Sequence, residues 1–100
     1  MGAKISPSSG NVFTDLGFGK EQAEHLRIRS TLMGAVRGVI EDRGLIQAEA
    51  AKLFGVTQPR ISNLVRGRVE LFSIDTLVDM LARAGVQVDV VLSRPRGVDS

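Results

Sequence analysis

Cysteine is absent from the 100-residue chain, which excludes disulfides and thiolate metal sites and implies no oxidising compartment. Histidine occurs once, at His25, too few for an all-protein zinc site, so it is read as a surface or partly packed side chain. Tryptophan and tyrosine are missing, and four phenylalanines are the only aromatics. No apolar run approaches the roughly 20 residues of a membrane helix, and the N-terminus lacks the apolar core of a secretory signal. A cytoplasmic location is therefore expected. No nucleophile–base pair or metal triad stands out, so neither an enzyme nor a cofactor is expected. Glu41 and Asp42 are adjacent carboxylates, but they fall at a predicted helix end, in solvent.

What remains is the composition of one soluble domain, 43% hydrophobic and 24% charged, large enough for a modest core. The formal net charge is only +2, although the sequence pI is about 9.7. Ten of the thirteen bases are arginine, the side chain suited to phosphate and guanine, while the acids gather in the first half. The sum is a weak pointer to an anionic partner, and placement matters more.

Residues 1–19 are expected to form a flexible N-terminal arm ending in a docking segment, NVFTDLGFG, which carries Phe13 and Phe18 between turn residues. From about Lys20 to Arg43 the pattern is helical: Leu26, Met33, Val36 and Ile40 recur at three- to four-residue steps, widened by Leu32 and Val39. Gly34 and Gly38 interrupt it, each at a cost of about 1 kcal/mol relative to Ala, suggesting a closely packed neighbour or a break between two helices. Gly44 supplies the stop. Residues 46–54 form a second, short helix with Ala50, Leu53 and Phe54 inward. Thr57 is a good cap for a third, with Pro59 in its first turn and Ile61, Leu64 and Val65 as its apolar face. Ser73 caps a fourth helix, lined by Ile74, Leu77, Leu81 and Ala84, and Met33 and Met80 read as core filler.

Residues 86–92, VQVDVVL, alternate, with Val86, Val88, Val90 and Leu92 on one face, and are read as a half-buried strand. A lone strand needs a partner. The candidates are residues 11–13 or, preferred, the same strand of a second subunit across a two-fold axis. A polar tail, 93–100, follows.

Between the second and third helices lie three residues, Gly55-Val56-Thr57, and two short helices joined so tightly make a helix-turn-helix. Ala50 and Ala51 are small enough for a steep crossing, and Val56 and Ile61 seal the angle. Residues 47–67, QAEAAKLFGVTQPRISNLVRG, resemble the helix-turn-helix of the Cro/cI-type (XRE) DNA-binding family. Gln47, Ala51, Gly55, Val56, Thr57, Ile61, Ser62, Leu64 and Gly67 carry the match. The flanking segments resemble a small subgroup that includes HigA-type antitoxins. The resemblance covers residues 20–92 and implies a mostly α, lambda-repressor-like bundle around the motif, plus the one C-terminal strand. Members of the broader family usually end in a fifth helix where this chain alternates.

The resemblance also implies roles. The helix 58–66 would lie in a major groove of double-stranded DNA, with Gln58 and Asn63 reading base edges and Pro59 against a thymine methyl. Thr57 and Ser62 share that surface. Arg60 would meet a guanine or a phosphate. Arg66 and Arg68 would clamp phosphates, and Gln47 would meet the backbone at the start of the preceding helix. The function so implied is a homodimeric repressor reading an inverted repeat. The alternative is an antitoxin that neutralises a RelE-like ribonuclease toxin and represses its own operon.

Overall fold

The computed structural model describes residues 12–93, which fold into five α-helices and one 3-10 turn: α1 (Val12–Asp15), α2 (Lys20–Arg43), α3 (Gln47–Phe54), α4 (Gln58–Val65), the 3-10 turn (Val69–Leu71) and α5 (Ile74–Arg83). The arm up to residue 11 and the tail from residue 94 lie outside the described residues. The expected mostly helical architecture is present.

The longest element, α2, runs without a break through both of its interior glycines. A Cβ on either Gly34 or Gly38 would meet no heavy atom within 4 Å, so neither glycine accommodates a close neighbour of this chain. Both suggested explanations for them fail. Continuity is maintained by the stripe of Met33, Val36 and Ile40 against the rest of the domain, which outweighs a cost of about 1 kcal/mol per glycine. The helix ends where Gly44 turns left-handed, at φ 60°, and Leu45 N–H donates to the Ile40 carbonyl at 3.0 Å.

The core gathers Val36 of α2, Ala50, Ala51 and Phe54 of α3, Ile61 and Leu64 of α4, and Leu77, Met80 and Leu81 of α5. Phe72, just after the 3-10 turn, completes it at 1% exposure. Burying each phenylalanine contributes about 1.5–3 kcal/mol. Arginines close the seams between elements: Arg43 donates to the Ala84 carbonyl at 3.1 Å, and Arg29 to the Val69 carbonyl at 3.4 Å.

The first third of α2 extends past this cluster, carrying the buried Ala23 and Leu26. Here α1 packs against it, with Phe13 and Phe18 edge to face at 6.2 Å. On its exposed side, Glu24 accepts from Arg27 three residues on, and this hydrogen bond holds the Glu24 carboxyl below its ordinary value.

Two expectations are corrected. Residues 12–15 are a helical turn, so they offer no strand edge. No strand forms among the described residues, and 86–92 carry no regular secondary structure. Val86 and Val88 do pack on the core, with Gln87 and Asp89 exposed as the alternation requires. The inward face then stops: Val90 is 78% exposed and Leu92 89%. Strand geometry needs a partner ladder, and the described residues present none to that segment.

Candidate nucleic-acid interface

The recognition geometry begins with the turn between α3 and α4. Gly55 adopts φ 72°, a left-handed angle that a residue with a Cβ resists. A Cβ there would also stand 2.7 Å from Nε and 2.8 Å from Cδ of Arg83, whose side chain lies across the turn from α5. Val56 N–H donates to the Ala51 carbonyl at 3.0 Å, folding the chain back. Thr57 then caps α4, its hydroxyl accepting from Arg60 N–H at 3.4 Å, with Pro59 in the first turn, where a missing N–H costs nothing.

At about 100° per residue, Gln58, Pro59, Ser62, Asn63 and Arg66 span an arc of about 140° opposite the buried Ile61 and Leu64. Gln58, Pro59 and Arg66 are exposed, and Ser62 and Asn63 half-buried. Residues 50–69 contain Lys52, Arg60, Arg66 and Arg68 and no acid, so this face is locally positive although the whole chain is nearly balanced. Gln47 is exposed at the first position of α3; beside it Glu49 accepts from Ile46 N–H at 3.0 Å and caps the helix start. Arg68 is exposed and stands 3.9 Å from Glu70, a surface pair worth about 0–1 kcal/mol that a phosphate can displace.

The structure thus brings Gln58, Pro59, Ser62, Asn63 and Arg66 onto one face, with Thr57 at its leading end. It sets Arg60 apart. The Arg60 guanidinium lies 4.7 Å from the centroid of the Phe72 ring and donates to the Leu71 carbonyl at 3.3 Å, on the flank of the helix. Sequence reasoning missed Lys52, exposed on the last turn of α3, and Arg83, beside the turn. Lys52 was legible as a base within the motif, whereas no local pattern links Arg83 to Gly55. Elsewhere, His25, Arg29, Glu70 and Asp75 line an open cleft between α2 and the start of α5, where opposite charges mix. Among the described residues no group of three or more His, Cys, Asp or Glu could hold a metal, and no helix is long and apolar enough to cross a membrane.

A short capped helix joined to the one before it by a left-handed glycine turn, in a stretch with four bases and no acid, defines a helix-turn-helix regulator that binds DNA. The chain matches the helix-turn-helix domain family over residues 12–93, most of its length, and it belongs to that family. No curated protein matches it significantly.

Proposed function

We propose that the protein is a homodimeric transcriptional repressor that reads a short inverted repeat with α4 in the major groove. The observation that carries this is the face of α4, on which two amides suited to adenine, Gln58 and Asn63, stand beside Arg66 in a stretch, residues 50–69, that contains no acid. Gln47 and Arg68 flank that face as backbone contacts, with Pro59 against a thymine methyl and Thr57 and Ser62 between. The motif's resemblance to the Cro/cI-type family supports the same docking.

A dimer follows from two arguments. One helix-turn-helix buries little DNA surface, so useful affinity needs two, spaced about 34 Å apart on successive turns. The segment 86–93 also leaves Val90, Val91 and Leu92 exposed, and among the described residues 87–93 make no backbone hydrogen bond. Antiparallel pairing with the same segment of a second copy would satisfy those groups.

An antitoxin reading is favoured by one observation. At the outer end of α2, Val12 and Leu16 of the α1 segment are 60% and 68% exposed, a small apolar surface for a RelE-like ribonuclease toxin. The two readings are compatible, and a small basic reading frame adjoining the gene favours the second.

The test is fluorescence anisotropy with DNA from upstream of the gene and with a shuffled duplex, across salt concentrations. Tighter binding to the upstream DNA, two protomers per site and a steep salt slope are expected. Gln58→Ala should cost about 1–3 kcal/mol and relax sequence preference, whereas Arg66→Ala should weaken both duplexes alike and lower the salt slope by about 1. Equal losses on both duplexes for both variants would defeat the assignment of roles.

A further inference from the structure

We propose that Arg60 is a positioning residue which sets the roll of α4 about its own axis, and that it does not itself contact DNA. The inference rests on the reading of α4 as the DNA-reading helix. Only Ile61 and Leu64 anchor α4 in the core, and at a spacing of three they lie on one narrow stripe. A helix of eight residues, about 12 Å long, anchored by two side chains about 60° apart resists rolling less than one with a wide buried face. Val65, on one flank, is 41% exposed and gives little resistance. Arg60 occupies the other flank, about 60° outside the arc of DNA-facing residues.

What Arg60 grips is rigid. The Phe72 ring is 1% exposed and belongs to the central cluster, so it forms a fixed platform beneath the guanidinium. The hydrogen bond to Leu71, eleven residues along the chain, adds a second attachment in another direction. The backbone N–H of the same residue completes the Thr57 cap. As placed, the guanidinium is held by ring and carbonyl on the flank of the helix, outside the arc of DNA-facing residues. A roll of about 10° moves the outer side chains, some 6 Å from the axis, by about 1 Å, beyond the roughly 0.5 Å tolerance of a well-formed site. Lysine cannot substitute, because only a planar fork can stack on a ring and donate sideways at once.

The experiment uses Arg60→Lys and Arg60→Ala beside the wild-type chain. The probes are a duplex enriched by the wild type from a random-sequence pool and its shuffled counterpart. Both variants should lose about tenfold in affinity for the enriched duplex while keeping wild-type affinity and salt slope on the shuffled one. Wild-type binding by Arg60→Lys, with the slope lowered by about 1 in Arg60→Ala, would overturn the proposal and make Arg60 a phosphate contact. Relaxed preference at a single base position would overturn it in favour of base reading. Hydrogen exchange without DNA decides the clamp separately: α4 amides should exchange about tenfold faster in both variants while α5 is unchanged. Unchanged α4 exchange overturns the clamp, whereas failure of the wild type to enrich any duplex overturns only the DNA reading.

Discussion

Replacing Gly34 and Gly38 with alanine should stabilise the protein, and the amount can be worked from their surroundings. Both lie inside α2, neither has a positive φ, and an added Cβ meets nothing within 4 Å. The new methyls therefore gain no burial and meet no clash, leaving helix propensity as the whole effect. Alanine is better than glycine in a helix interior by about 0.8–1.0 kcal/mol, chiefly because it restricts the unfolded chain. Since the effect is one of backbone propensity at each position, the two sum to about 2 kcal/mol for the pair. For a domain of this size that raises Tm by roughly 8–16 °C, half of it in each single variant. Circular dichroism melts must be run at one protein concentration, because the proposed dimerisation would make Tm depend on it. A fall in Tm in either single variant, or no change in the pair, would refute the reasoning.

The same substitution should have the opposite sign at the turn. Gly55→Ala forces a Cβ into a left-handed conformation at a cost of about 1–2 kcal/mol, with Arg83 swinging aside at little further expense. Urea denaturation should show a lower midpoint, and an unchanged midpoint would mean that the turn relaxes to another angle. Val90→Asp with Leu92→Asp changes two side chains outside the core, so the fold should survive while the proposed pairing is lost. Sedimentation should then show monomers, and a persistent dimer would move the interface elsewhere.

Most of the scaffold was legible because it is written in local chemistry. Thr57 and Ser73 announce their helices by capping, and Gly44, Gly55, Gly67 and Gly85 take the positive φ expected of helix stops. The alternation of 86–92 was equally plain, but alternation signals a strand only where a ladder exists, and only Val86 and Val88 reach the core. Phe72 escaped notice because Val69-Glu70-Leu71-Phe72 has neither helical nor strand period; its burial comes from the core cluster to which α2, α3, α4 and α5 all contribute. The outer face of α4 could be placed from periodicity alone. Arg60 could not, since its position on the helix allows either solvent or Phe72, and the choice is tertiary.

That division has a consequence for how the helix works. On α4 the side chains that stabilise the domain and those proposed to read DNA are largely separate: Ile61 and Leu64 are fully buried, Gln58, Pro59 and Arg66 are exposed, and Ser62 and Asn63 are half-buried. Substitution on the outer face therefore changes few contacts within the domain and should leave stability within about 0.5 kcal/mol. Any sequence preference carried there can change without loss of fold. Positional precision is a separate matter, because eight residues cannot fix their own orientation. It has to come from neighbours: Ala50 and Ala51, which permit close crossing by α3; Gly55, which sets the turn; and Phe72, which holds Arg60.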